Sequence, residues 1–304
     1  MAERDSMRLL LVAPIALAML AAVALPAAGS ASRAPKPKFT TWDETFVDES
    51  RPTDVPEVEL NAPTRTLVTT IYRPLGKGPF PLIVFAHGSS GHPEKFTKLF
   101  SRWAAAGYVV AAPAFPVTNS HASTEFGRAD DVSNQPGDMS FVLDKVLALA
   151  KDRGSPLSRA IDKKKVGASG LSLGGLTTYE LVYGDCCRDA RFKAVEVLDG
   201  FLPSGTVLDG HVPLLIAHSD MDPAVSYEQA QNAFADAEPP VWLVTLHGAS
   251  HASQWEDDVT PYDEIAEQIT LDFWDATLRG KSKAFKRLER DATVADLSSI
   301  EVRR

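Results

Sequence analysis

Short apolar runs alternate with longer amphipathic segments along most of the chain. A run such as Leu82-Ile83-Val84-Phe85 is typical of a strand that is buried on both faces, as in a parallel sheet. The pattern predicts strands at 45–47, 65–72, 81–86, 108–112, 165–169, 194–198, 212–217 and 241–246. Helical spacing of the apolar residues predicts helices at 96–106, 139–151, 173–183, 227–237 and 265–279, with Asp138 as a cap of the second helix. This alternation favours a doubly wound, mostly parallel α/β sheet with helices on both faces.

The first 31 residues have a different composition. Met7-Arg8 precedes an apolar run over 9–26, and small residues follow at 28–31. This layout is typical of a secretory signal peptide, although a retained membrane anchor is an alternative. We therefore expect a signal peptide at 1–31, a basic, proline-containing linker at 32–39 and one globular domain at 40–304. The mature protein is expected outside the cell or in the cell envelope.

The net charge limits the classes of partner that the chain can bind. The net charge of −9 argues against nucleic acid or an anionic membrane surface and favours a neutral or apolar ligand. No obligate protein partner is implied.

The two cysteines, Cys186 and Cys187, are adjacent, so the framework of long-range bridges found in many secreted proteins is missing. We expect two thiols, at least one of them buried, with a bond between the neighbours as the alternative.

A candidate nucleophile lies between a predicted strand and a predicted helix. Gly170-Leu171-Ser172-Leu173-Gly174 matches the G-x-S-x-G pattern, in which small residues permit a sharp turn that exposes the serine hydroxyl. Ser172 is the predicted nucleophile. Ser169 is the nearest alternative, but Leu171 stands where it would need a glycine.

An acid and a base follow in the order that this strand-turn-helix motif requires. Asp222 comes shortly after the predicted strand 212–217, and His251 lies in the loop after strand 241–246. An aspartate there orients the histidine, and the histidine takes the proton of the nucleophile. The alternatives left open are Asp220 and Asp199 for the acid and His247 for the base.

Acyl transfer also requires donors for the developing oxyanion. The backbone amides of Leu173, directly after the nucleophile, and of Ser89, after strand 81–86, occupy the expected positions. Gly88 permits the chain to turn toward the site. His87 precedes the nucleophile, so we interpret it as a hydrogen-bonding support of the loop.

Four motifs occur together in order. Residues 85–91, residues 170–175, the Asp222 turn and residues 248–251 resemble the bacterial dienelactone-hydrolase-like and platelet-activating-factor-acetylhydrolase-like serine hydrolases. The last two motifs are also similar to those of secreted cutinase-like polyester hydrolases. The resemblance extends from about Arg65 to Arg279 and implies an α/β-hydrolase fold and hydrolysis of carboxylic esters.

The sequence therefore predicts a secreted, esterase- or lipase-like serine hydrolase that works through an acyl-serine on a neutral or apolar ester. No metal or organic cofactor is required by this chemistry. One alternative is a peptidase or acyltransferase that uses the same serine, histidine and aspartate. A less favoured alternative is a noncatalytic binding protein on the same scaffold. Trp255 is a candidate wall of an acyl pocket, Gln135 and Asp138 are expected to shape the loop at 116–137, and the acidic residues 256–258 are interpreted as a solvated loop.

Overall fold

A mixed sheet forms the centre of the molecule in the computed structural model, which describes residues 38–55, 60–122 and 129–304. Within these residues the sheet has nine strands in the order β1-β4-β6-β5-β7-β8-β9-β10-β11. The strands are β1 Phe39–Asp48, β4 Arg65–Pro74, β5 Phe80–Ala86, β6 Val109–Ala114, β7 Ile161–Leu171, β8 Phe192–Leu198, β9 Leu214–Ser219, β10 Val241–Leu246 and β11 Ser298–Arg303. A separate antiparallel pair is formed by β2 Thr53–Val55 and β3 Leu60–Ala62.

The six inner strands, β6 to β10 in sheet order, are parallel, and both edges are antiparallel. The predicted α/β-hydrolase type of fold is confirmed. The strand order reverses between β5 and β7, because the chain first adds β6 on one side of β5 and then β7 on the other. In open α/β sheets ligands bind at such a reversal, outside the carboxyl ends of the strands.

Helices cover both faces of the sheet. They are α1 Thr97–Ala106, α2 Gln135–Leu149, α3 Leu173–Tyr183, α4 Tyr227–Asp236, α5 Asp263–Thr277 and α6 Ser282–Asp291. Residues of α2, α3 and α4 pack into one apolar cluster, and residues of α1, α5 and α6 pack into a second cluster on the opposite face. No described helix is long and apolar enough to cross a membrane. The predicted signal peptide and residues 32–37 of the predicted linker lie outside the described residues.

The turn after α3 contains both cysteines, and their state differs from the expectation. Cys186 and Cys187 are joined by a disulfide, so they are not two thiols. Cys186 is exposed and Cys187 is half-buried, which also contradicts the expectation of a buried, hydrophobe-like cysteine. The pair lies in a surface turn between α3 and β8 and contributes nothing to either apolar cluster.

A buried arginine ties β4 to α2 and to the segment before it. Both oxygens of Asp138 accept hydrogen bonds from the fully buried Arg65, at 2.7 Å each, and Asp131 accepts two more. Bidentate pairing satisfies the charges that burial would otherwise leave uncompensated. The prediction that Asp138 caps α2 is wrong, because the helix begins earlier, at Gln135, with Pro136 in its first turn. The expectation that Asp138 shapes the preceding loop agrees with this network.

A carboxyl group is also buried in the middle of the sheet. Glu196 of β8 is completely buried and pairs in register with Ser169 of β7, whose hydroxyl donates to Oε2 at 2.8 Å. The other oxygen, Oε1, has no partner among the described residues. Burial raises the pKa of Glu196 from 4.5 to about 8, because little compensates the desolvated charge.

This shift predicts a stability that falls as pH rises. The unfolded chain releases the Glu196 proton above its ordinary pKa of 4.5 and the folded chain only near 8, so the contribution is complete below pH 4.5 and is lost across that interval. Glu196→Gln should remove a slope of about 1.4 kcal/mol per pH unit. Urea unfolding of both proteins across the interval measures this slope. The exposed Glu301→Gln is the control, and an unchanged slope in Glu196→Gln would contradict the assignment.

Candidate active site

The turn between β7 and α3 has the geometry of a nucleophile elbow. Ser172 lies between the last residue of the strand and the first residue of the helix, with φ 57° and ψ −117°. This conformation is strained for a residue with a side chain and is found mainly at functional sites. A Cβ on Gly170 would lie 2.1 Å from the carbonyl oxygen of Gly174, so the turn excludes a side chain there, as predicted.

The loop after β5 packs directly against this serine. A Cβ on Gly88 would lie 3.1 Å from the Cβ and 3.7 Å from the Oγ of Ser172. A Cβ on Gly174 would approach the carbonyl oxygen of Ala86 to 2.1 Å. The two loops that flank the strand-order reversal are therefore in backbone contact. Ser89 directly follows Gly88, and Leu173 lies between Ser172 and Gly174.

His87 holds the loop from inside. Its ring is buried, Nε2 accepts from the amide of Phe115 at 3.0 Å, and Nδ1 donates to the carbonyl of Gly88 at 2.7 Å. Burial lowers the pKa of His87 to about 4, so the ring is neutral and can accept and donate at the same time. These contacts agree with the interpretation of His87 as a support of the loop.

The predicted acid and base are hydrogen-bonded to each other. His251 follows β10, Asp222 follows β9, and Nδ1 of the histidine lies 2.6 Å from Oδ2 of the aspartate. The other carboxylate oxygen accepts from the amides of Ala224 and Val225 at 2.7 and 2.9 Å. The aspartate side chain is buried and that of His251 is 20% exposed. This arrangement places the proton on Nδ1 and leaves Nε2 with a lone pair that can accept a proton.

The alternative residues are engaged elsewhere. His247 forms a separate pair with Asp220, at 2.8 Å between Nδ1 and Oδ2, and its Nε2 lies 3.0 Å from the hydroxyl of Ser299 in β11. Both nitrogens of His247 are thus occupied. Ser169 lies within β7 and donates to the buried Glu196.

Asp199 has a supporting position that the sequence did not predict. It is fully buried after β8 and accepts from the amide of Ser219 at 2.7 Å and from the side chains of Gln254 and Trp255 at 2.7 and 2.5 Å. Burial, with the nearby charge of Asp222, raises its pKa. Gln254 also donates to the carbonyl of Ser250 at 2.7 Å, so the network fixes the loop that carries His251.

Trp255 belongs to this internal network. Its side chain is only 1% exposed and packs in the apolar cluster of α1, α5 and α6. The expectation that it walls an acyl pocket is therefore wrong, because its indole faces the interior and its Nε1 donates to Asp199.

The site thus combines a strained serine at a strand-to-helix turn, a loop packed against it and a histidine-aspartate pair at neighbouring strand ends. The family model described as chlorophyllase matches residues 42–205, more than half of the chain. The chain belongs to the chlorophyllase family. No curated protein matches it.

Membership in the chlorophyllase family confirms the predicted kind of protein, a serine ester hydrolase with an α/β-hydrolase fold. The matched residues include Gly88, Ser89 and Ser172 and end before Asp222 and His251. The roles of individual residues in catalysis therefore stay predictions.

Two hydrogen bonds through one side chain join the loop after β6 to α3 in this member of the chlorophyllase family. Gln135, at the start of α2, donates to the hydroxyl of Thr118 at 2.9 Å and accepts from that of Thr177 in α3 at 2.5 Å. All three residues are fully buried. Gln135 thus fixes the loop, as expected, by bonding it to α3.

Proposed function

We propose that the chain is a secreted hydrolase of neutral or apolar carboxylic esters, with Ser172 as nucleophile, His251 as base and Asp222 as the acid that orients the base. The observation that carries this proposal is the bond between His251 and Asp222, which follow the carboxyl ends of β10 and β9. Ser172, held at positive φ, follows the carboxyl end of β7 at the same edge of the parallel sheet. The family supports ester hydrolysis in general, and the net charge of −9 favours an uncharged substrate.

The reaction would proceed in two acyl transfers. The Oγ of Ser172 attacks the ester carbonyl while Nε2 of His251 takes its proton, and the buried Asp222 stabilises the imidazolium. The amides of Ser89 and Leu173 are the proposed donors to the oxyanion. Collapse of the tetrahedral intermediate breaks the ester bond, and His251 returns the proton to the departing alcohol. Water then attacks the acyl-serine by the same route and releases the carboxylic acid.

A comparison of nitrophenyl esters with nitroanilides of the same acyl groups tests the leaving group. We expect kcat/KM to be much higher for the esters, and Ser172→Ala to lose at least about 10³-fold because a triad acts as a unit. Ser169→Ala, which removes a hydroxyl buried in β7, is the matched control and should retain most of the activity. Faster hydrolysis of the amides would indicate a peptidase, and near wild-type activity of Ser172→Ala would reject the proposed nucleophile.

Export is the second part of the proposal and is supported by the apolar run at 9–26 and the small residues that follow it. Expression of the whole chain in a bacterial host with a Sec pathway should release a protein that begins between about residues 30 and 34. Intact mass measurement of the exported protein gives its first residue. An uncleaved chain in the membrane fraction would show instead that the segment is an anchor.

A further inference from the structure

Two histidines and a glutamate meet on the surface beside the loop that packs against Ser172. His92 follows β5, Glu94 lies two residues later in the short 3₁₀ helix Pro93–Phe96, and His121 comes from the loop after β6. The carboxylate of Glu94 contacts both rings, with Oε1 2.8 Å from Nε2 of His121 and Oε2 3.6 Å from Nδ1 of His92. The two imidazoles face each other with centroids 4.1 Å apart.

These three side chains offer a set of metal ligands. One nitrogen or oxygen atom from each lies within 4.8 Å of the others. Two imidazoles and one carboxylate are a ligand set that Zn²⁺ uses, with bonds of roughly 2.0–2.2 Å and a fourth position left to water. Glu94 and His121 are each more than half exposed, so both can close by the small distance that this coordination requires.

The backbone already holds the two loops together. The amide of Ser90 donates to the carbonyl of Thr118, the amide of Ser120 donates to that of Gly91, each at 2.8 Å, and Gly91 and Asn119 form a parallel bridge. These backbone bonds thus hold the segments that carry His92 and His121 side by side. A pre-formed arrangement of ligands lowers the conformational entropy that binding costs.

We propose that His92, Glu94 and His121 form a binding site for Zn²⁺ or a similar divalent transition-metal ion, outside the catalytic residues. The ion would cross-link the loop after β5, which supports the proposed oxyanion donor Ser89, to the loop after β6. It takes no part in the reaction, so the proposal does not depend on the proposed function. Nitrogen ligands favour Zn²⁺ over Mg²⁺, which prefers oxygen.

Zinc titration of the tag-free protein against a chromogenic chelator, without reductant, tests the site. His251→Ala serves as the parent, because it removes the partly exposed imidazole of the proposed catalytic site, which could itself bind zinc. The parent should bind one Zn²⁺ per chain, and the ion should raise its melting temperature. Adding His121→Ala or Glu94→Gln should weaken binding at least about tenfold and abolish the shift, since each removes a ligand.

His211→Ala in the same parent is the matched control. His211 is also an exposed histidine beside a glutamate, with Nε2 3.6 Å from Glu238, but it has no second imidazole among the described residues near it. Its replacement should leave zinc affinity unchanged, and excess Mg²⁺ should not displace the zinc. The proposal would be overturned if the parent and its His121→Ala derivative bound zinc with equal affinity while having equal melting temperatures without metal. Loss of zinc binding in the His211→Ala derivative would also overturn it.

Discussion

The close approach of two backbone turns controls the geometry of the site. The turn from β7 into α3 passes so near the end of β5 that a Cβ on Gly174 would approach the carbonyl oxygen of Ala86 to 2.1 Å. The same turn holds Ser172 at a positive φ that an ordinary residue avoids. This strain persists because the surrounding parallel strands determine the path of the chain on both sides. The contact also sets the position of the loop that carries Ser89 relative to the serine.

Buried polar contacts around this turn hold loops that the apolar core alone would leave variable. Arg65 attaches α2 and the segment before it to β4, Gln135 attaches the loop after β6 to α3, and Asp199 holds the loop that carries His251. Each of these side chains is fully buried and has several partners. Removal of one partner leaves a desolvated group behind, which costs more than the bond itself contributes. The positions of the proposed catalytic groups therefore depend on residues that do not touch the substrate.

The inner sheet was predictable because its strands are continuous apolar runs separated by helical patterns. The elbow was predictable because its glycines leave a motif of fixed spacing, and Asp222 because it follows a buried strand. The pairing of His251 with Asp222 agrees with the prediction, while their roles in catalysis stay untested. The edge strand β11 and the helix α6, whose buried residues are Ala284 and Leu288, were missed because they carry little apolar signal.

Contacts between distant polar residues could not be predicted from one sequence. Asp199 meets Gln254 across 55 positions, and His92 meets His121 across two loops that have no periodic pattern. The bond between Cys186 and Cys187 was also not predicted, because a bridge between neighbours constrains the unfolded chain very little and so gives little reason to expect it. The contacts between distant residues depend on the tertiary path of loops, which hydrophobic spacing does not encode.

The central claim is that Ser172 is activated by His251 held on Asp222, and not by the neighbouring pair of His247 and Asp220. The rate of covalent labelling by a fluorophosphonate, with the adduct located by peptide mass spectrometry, tests it most directly. The account predicts one adduct per chain, on Ser172. Asp222→Asn should lower the labelling rate by about 10³-fold or more, because it disturbs the tautomer of His251. Asp220→Asn should change the rate little, because Asp220 does not contact His251 in this account. An adduct on another residue, or a rate that falls with Asp220→Asn and not with Asp222→Asn, would contradict it.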